Sequence, residues 1–196
     1  MTRGPTDMLR KLFFFLLLGS LWTGAAHAQF QRDGWHFAGM LGWNWADGSR
    51  ITEDGWWAGL AIGKTISPTW VFEFEVTGDQ LDFPSTIGGS LDHFGLGLNF
   101  IKVNREASWN PYFLVGGGAL QSDNGVTDDW NPMVQLGVGG MWPIPSGGAA
   151  FRMDLRYRYE IAEDNFGDLI LGFGVTVPFG GATTSPGLGR QPAQPR

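Results

Sequence analysis

Cysteine is absent from this sequence, and so is any apolar run long enough for a membrane-spanning helix. Without cysteine the chain can form neither a disulfide framework nor a thiolate metal site. The most apolar stretch, 12–22, is shorter than the roughly 20 residues that a helix needs to cross a bilayer. Basic residues are outnumbered, 13 against 19 acidic residues. Because an acidic chain repels phosphate backbones, nucleic acid is not an expected partner.

Histidine is also scarce, with three in the chain. Only His36 and His93 lie beyond the N-terminal segment, and their separation does not match the spacing of metal ligands. Ser90 lies near His93, but in a Gly-Gly-Ser segment of the kind common in loops. A catalytic triad needs a nucleophile and a base within hydrogen-bond reach, and no histidine and serine share a strand face here. The sequence therefore predicts no metal site, no cofactor and no catalytic residues.

The first 28 residues have the pattern of a secretory signal peptide. Arg3, Arg10 and Lys11 form a basic region, the apolar stretch 12–22 follows, and Ala26 and Ala28 supply the small residues of a cleavage site. The alternative, an anchor helix, requires a longer apolar run. We expect cleavage after Ala28 and export of the remaining chain.

The exported part alternates between apolar and polar residues with a period of two, which indicates β-strands. In 151–160, the odd positions are Phe, Met, Leu, Tyr and Tyr, while the even positions are Arg, Asp, Arg, Arg and Glu. A helix cannot separate residues in this way, because its period is 3.6. Similar segments occur at 35–45, 56–64, 70–78, 93–101, 112–120, 133–142 and 169–179.

Eight strands of about 9–11 residues match the length that a tilted strand needs to cross a membrane. The alternative is a soluble β-sandwich. A sandwich exposes its polar face to water, whereas here that face is mostly glycine, small residues and charges of both signs, which suits a narrow interior. We therefore predict an all-β fold, an eight-stranded antiparallel up-and-down transmembrane β-barrel over 29–180. The remainder, 181–196, is rich in Gly and Pro and predicts a flexible tail.

Tryptophan and acidic residues add to this interpretation. Nine tryptophans follow the signal segment, and all lie near predicted strand ends, as expected of aromatic girdles at two membrane interfaces. One set comprises Trp35, Trp70, Trp109 and Trp142, and the other Trp43, Trp45, Trp56, Trp57 and Trp130. Many acidic residues lie near one predicted rim, with Arg50 as the base among them. They are Asp47, Glu53, Asp54, Asp79, Asp82, Asp92, Asp123, Asp128, Asp129, Glu160, Glu163, Asp164 and Asp168. That bias predicts contact with a lipopolysaccharide surface rich in divalent cations; ordinary solvated loops are the alternative.

Charged residues on the glycine-rich faces form the main candidate site. They would point into a narrow lumen, where unpaired charge is costly, so we expect them to pair. The predicted lumen charge network comprises Glu73, Glu75, Arg152, Asp154, Arg156 and Arg158. It could be a fixed plug or a gate whose pairs exchange. A wide pore is excluded, because side chains fill an eight-stranded barrel.

The sequence resembles the membrane domain of the outer membrane protein A (OmpA) family over about 29–180. Four features carry the likeness: Gly59-Leu60-Ala61-Ile62-Gly63 before Phe72-Glu73-Phe74-Glu75, Pro111-Tyr112 before Val115-Gly116-Gly117-Gly118, the segment 152–157, and the ending 171–180. OmpW-like and opacity-type small barrels share this pattern and remain alternatives. The family's peptidoglycan-binding domain has no counterpart here.

The resemblance implies a structural protein of a Gram-negative cell outer membrane, in contact with outer-membrane lipids and lipopolysaccharide. A porin-like narrow gated channel is an alternative, and a lipid-modifying enzyme is a remote one. Gly174, Val177 and Phe179 resemble the C-terminal signal through which the barrel-assembly machinery inserts such proteins. Gly172 stands where that signal has a polar residue. The oligomeric state is left open.

Overall fold

The computed structural model describes residues 34–86, 88–123, 125, 128–144 and 148–179. Within these ranges the chain forms eight strands: β1 (Trp35–Trp45), β2 (Gly55–Thr65), β3 (Trp70–Asp82), β4 (Ser90–Val103), β5 (Pro111–Asp123), β6 (Asp128–Pro143), β7 (Ala150–Glu160) and β8 (Phe166–Phe179). No helix long and apolar enough to cross a membrane occurs in these ranges. The predicted signal peptide, including Ala26 and Ala28, and the predicted tail lie outside them.

Every strand pairs antiparallel with the next, and β1 also pairs with β8. Trp35 lies opposite Lys64 of β2 on one side and opposite Phe179 of β8 on the other. This closure leaves no sheet edge, so the ladder groups of every strand have a neighbour on both sides. The predicted all-β, eight-stranded up-and-down barrel is confirmed.

The barrel has two ends, which we name by the chain termini. At the terminal end β1 begins and β8 ends, and residues 66–69, 104–110, 144 and 148–149 lie between strands there. At the distal end, residues 46–54, 83–86, 88–89, 125 and 161–165 lie between strands. Successive strands run in opposite directions, and each strand extends from one end of the barrel to the other.

Several strands extend further toward the distal end than the sequence pattern indicated. β3 continues past Gly78 to Asp82, and β4 begins at Ser90 rather than at His93. The apolar alternation fades in these segments, but the backbone pairing continues, with Asp82 opposite Ser90. Strand ends are therefore set by the neighbouring strand as well as by the local sequence.

The barrel is apolar outside and carries buried charges inside. In β7, Arg152, Arg156 and Arg158 are at most 2% exposed, whereas Leu155 and Tyr157 on the other face are 41% and 47% exposed. A water-soluble barrel has the reverse arrangement, because it must bury its apolar surface. This inversion is the pattern of strands that face lipid on the outside.

Eight of the nine tryptophans lie at the two rims with their rings exposed. Trp35, Trp70, Trp109 and Trp142 surround the terminal end, and Trp43, Trp45, Trp56 and Trp130 the distal end. Trp57 is an exception: it is 1% exposed and points into the lumen, so its assignment to a girdle was wrong. The reason is geometric, because Trp56 and Trp57 are consecutive in β2 and must lie on opposite faces.

Candidate functional site: the charged lumen

The lumen is crossed by ion pairs between β3 and β7. Three strands lie between these two in either direction around the barrel, so they lie on opposite walls. Period-two alternation turns Glu73, Glu75 and Asp79 of β3 inward, and it does the same for the arginines of β7. Long side chains from opposite walls therefore meet at the centre, and they form layers stacked along the barrel axis.

The first layer is centred on Glu73. Arg152 donates from Nη1 to Oε1 at 2.7 Å and from Nη2 to Oε2 at 3.2 Å, which makes a bidentate ion pair. His36 of β1 lies 2.7 Å from the same Oε1 through its Nε2. Arg152 also donates from Nε to the Tyr112 hydroxyl at 2.9 Å. The carboxylate is thus held from two walls of the barrel.

Gly63 provides the space for this layer. A Cβ at this position would contact the His36 ring and the Cγ of Glu73, which would have to move. Glycine at position 63 therefore lets the histidine and the glutamate approach each other across β2.

The second layer is centred on Glu75. Arg156 donates from Nη1 to Oε1 at 2.5 Å, and Asn99 and Gln135 donate to Oε2 at 2.8 and 3.1 Å. The guanidinium of Arg156 lies over the Trp57 ring, 5.2 Å from its centroid. This contact explains why a tryptophan occupies the lumen, since an aromatic face stabilises a buried cation.

Asp154 links the first two layers. It accepts hydrogen bonds from Arg152 on one side and from Arg156 on the other. One carboxylate between two guanidinium groups makes the layers a continuous network.

The third layer is centred on Asp79. Arg158 donates to its two carboxylate oxygens at 2.7 and 3.0 Å, and His93 lies 2.7 Å from Oδ2 through Nδ1. Asn44 of β1 donates to the same oxygen at 2.9 Å. Arg158 also donates to Asp168 of β8 at 2.9 Å, which joins this layer to the distal rim.

An apolar cluster fills the lumen at the terminal end. Its members are buried residues of β3 to β7: Val71, Ile101, Val103, Tyr112, Leu114, Met141 and Ala150. Its side chains carry no charge, and they lie between the charged layers and the terminal rim. Charges enclosed by such a cluster have little access to water, which makes their pairing important.

Sequence reasoning found part of this network and missed the rest. All six predicted lumen residues point inward and interact, and Arg158 contacts Asp79, which the predicted network did not include. Asp79, Glu160 and Asp168, expected on the exposed acidic rim, are buried in the lumen, at most 3% exposed. The missed polar partners are His36, Asn44, His93, Asn99 and Gln135. The signal that could have found Asp79 is its spacing, because it continues the series of Glu73 and Glu75 with the same parity.

The described lumen holds six buried carboxylates and four guanidinium groups. The carboxylates belong to Glu73, Glu75, Asp79, Asp154, Glu160 and Asp168, and the guanidinium groups to Arg50, Arg152, Arg156 and Arg158. His36 and His93 each lie against one of the carboxylates. No group of three potential metal ligands has a metal-binding arrangement in the described ranges.

The structure also locates the suggested insertion signal and the neighbouring residues Ser90 and His93. Phe179 ends β8 with its ring 46% exposed, and Val177 lies on the same face, so the suggested insertion signal borders the terminal rim. Ser90 donates to Asp92 at 3.2 Å, whereas the ring of His93 is bonded to Asp79. The structure therefore does not bring this serine and histidine together.

Comparison with solved structures finds the same fold in Neisserial surface protein A. It is 17% identical, with a TM-score of 0.61 over 80% of this chain and 100% of that one. OprG, an outer membrane protein from Pseudomonas aeruginosa, matches at 12% identity and a TM-score of 0.48, over 78% of this chain and 99% of its own. The outer membrane protein Ail of Yersinia pestis, in a phospholipid nanodisc, matches at 16% and 0.45, over 74% and 99%. No family model and no curated protein matches the sequence.

Proposed function

We propose that this chain is a structural β-barrel protein of a Gram-negative outer membrane, of the OmpA-like type, with a lumen closed by paired charges. The observation that carries the proposal is the inverted barrel: a buried ionic network inside and exposed apolar side chains outside. Such a surface needs lipid, because exposed apolar area on this scale is unfavourable in water. The fold shared with Neisserial surface protein A supports the proposal.

The rim tryptophans support a membrane position. Trp35 and Trp45 bound the 11-residue strand β1. The strand spans about 33 Å, which a tilt of about 40° reduces to about 25 Å along the barrel axis, the height of an outer-membrane apolar band. At the terminal end, Lys64 and Lys102 lie over Trp35 and Trp70, with the ammonium nitrogens 5.3 and 5.8 Å from the ring centroids. Aromatic and basic side chains of this kind anchor proteins at lipid headgroups.

In this proposal the first 28 residues direct export and are removed. The barrel-assembly machinery would then insert the chain through the ending at Gly174, Val177 and Phe179. The terminal end would face the periplasm, and the distal end the lipopolysaccharide. Asp82, Asp123 and Asp128 are exposed at the distal end and could contact divalent cations there.

A narrow gated channel is the second candidate, and Asp154 is the observation that favours it. Because this carboxylate accepts from Arg152 and Arg156 at once, either arginine could transfer between partners. Exchange could then open a path past the first two layers. The apolar cluster at the terminal end favours the closed, structural alternative.

Conductance in planar bilayers separates the two candidates. The mature protein should insert, migrate differently on gels with and without boiling, and give no single-channel steps. Discrete single-channel current steps, with a larger conductance in the Glu75→Gln variant than in the parent, would support the channel. A well-folded protein that does not insert into vesicles would contradict both candidates.

A further inference from the structure

The connection between β1 and β2 folds over the distal mouth of the barrel. The Asp47 amide donates to Oδ1 of Asp168 at 3.1 Å, and the Gly167 amide donates to Oδ2 of Asp47 at 2.7 Å. The hydroxyl and amide of Ser49 also donate to Asp47, at 2.6 and 2.8 Å. Hydrogen bonds from Ser49 and Gly167 lower the pKa of Asp47 to about 2. The carboxylate therefore stays ionised and attaches this connection to the start of β8.

Arg50 follows this anchor and inserts into the mouth. Its side chain is 5% exposed. Nη2 donates to Oε2 of Glu160 at 2.5 Å, and Nε donates to Oδ1 of Asp168 at 3.4 Å. The guanidinium carbon lies 4.1 Å from the centroid of the Phe166 ring. The cation thus has carboxylates at its edge and an aromatic ring on its face.

The groups that receive Arg50 are held by strands and have other hydrogen-bond partners as well. Glu160 accepts from Asn131 of β6 at 2.8 Å and from Ser122 of β5 at 3.2 Å. Asp168 accepts from Arg158 at 2.9 Å. The receiving side is therefore built on four strands, β5 to β8, whereas the occupying side chain comes from a connection.

We propose that the distal mouth is a binding site for guanidinium groups, and that the chain occupies it with its own Arg50. The ligand class follows from the geometry, because a planar guanidinium can stack on an aromatic face while its edge donates to carboxylates. A hydrated ammonium is a compact point charge without such a face. Magnesium prefers octahedral oxygen ligands and retains its water.

Occupancy and closure of the mouth are coupled in this arrangement. If Arg50 leaves, Glu160 and Asp168 lose a counter-charge while they remain buried, which is unfavourable unless another cation replaces it. A soluble guanidinium compound, or an arginine side chain of another molecule, could replace Arg50 in the mouth. It would therefore stabilise the state in which the β1–β2 connection has moved away from the mouth.

The test is calorimetric titration of the folded full-length mature protein in detergent, with methylguanidinium, methylammonium and magnesium as separate probes. Arg50→Ala should bind methylguanidinium saturably and about tenfold more tightly than methylammonium, because only the former stacks on the ring. The parent should show no saturable binding over the same range. Adding Phe166→Leu to Arg50→Ala should remove most of the preference.

Three results would overturn the proposal. They are no binding by a folded Arg50→Ala variant, equal binding by the parent, and magnesium binding as tight as that of methylguanidinium, which would indicate an acidic cluster only. If Arg50→Ala does not fold, nuclear magnetic resonance of the parent decides. The Arg50 Nε proton should exchange slowly with water and be shifted by the Phe166 ring. A signal at the position of exposed arginines would refute the site.

Discussion

Replacing Arg152 by methionine should destabilise the barrel strongly, because the change removes the central cation of the first lumen layer. Arg152 is fully buried and donates to Glu73, Asp154 and the Tyr112 hydroxyl. Breaking a buried ion pair from one side costs about 3–5 kcal/mol in soluble cores. Here His36 remains beside Glu73, and Arg156 remains beside Asp154. The expected loss in the free energy of unfolding is therefore about 2–4 kcal/mol.

A double-mutant cycle isolates the pair itself. Glu73→Gln preserves the shape of the side chain and should cost about 1–3 kcal/mol, because it removes the charge and converts one acceptor to a donor. The double variant should be less destabilised than the sum of the two single variants, by a coupling of about 1–3 kcal/mol. A charge swap is a poorer test, since His36 and Asp154 surround the pair and would face the wrong charges.

Urea unfolding from lipid vesicles, followed by tryptophan fluorescence, measures these values. Lys102→Met is the matched control, because it also replaces a cation by methionine but on the exposed outer face. Because it loses only an exposed contact with the Trp70 ring, it should change the free energy of unfolding by no more than about 1 kcal/mol. A coupling close to zero, with Arg152→Met unfolding at the same urea concentration as Lys102→Met, would show that the lumen charges face water and that the closed-lumen reasoning is wrong.

Three further predictions concern packing, titration and assembly. Gly63→Ala should cost about 1–3 kcal/mol in urea unfolding through overpacking, whereas Gly48→Ala, where a Cβ would meet nothing within 4 Å, should be nearly neutral. Asp47 should titrate by nuclear magnetic resonance near pH 2, below its ordinary value of 3.8. Its contribution to stability is then complete above about pH 4 and is lost as the pH falls through 2; a titration midpoint at or above 3.8 would contradict the described anchor. Phe179→Ala should reduce insertion into outer membranes more than Leu188→Ala does, and equal insertion of both would argue against an insertion signal at the end of β8.

Much of the fold follows from the sequence because strand alternation is a local property. In β7 each of the charged residues has an apolar neighbour, so one segment specifies both faces without reference to the rest of the chain. The position of tryptophans near strand ends is likewise visible in the local sequence. Where two tryptophans are consecutive, as at Trp56 and Trp57, the sequence alone does not show which ring faces inward.

Partners in the lumen could not be assigned in this way. Glu73, Glu75 and Arg152 can be placed on inward faces, but which carboxylate meets which arginine depends on register and stagger around the whole barrel. His36, Asn99 and Gln135 come from three further strands, and each stands in the sequence between two apolar residues.

The sequence by itself determined that the chain forms strands, how many there are, and which face of each is apolar, because these depend on neighbours within a few residues. The tertiary structure decided what the polar faces meet. Closure brings β3 opposite β7, which converts separate charges into a paired network. It also directs Arg50 from a connection into the distal mouth, where Glu160 and Asp168 bind it. Contacts between residues 110 and 118 positions apart have no local signal, since only the closed barrel places them together.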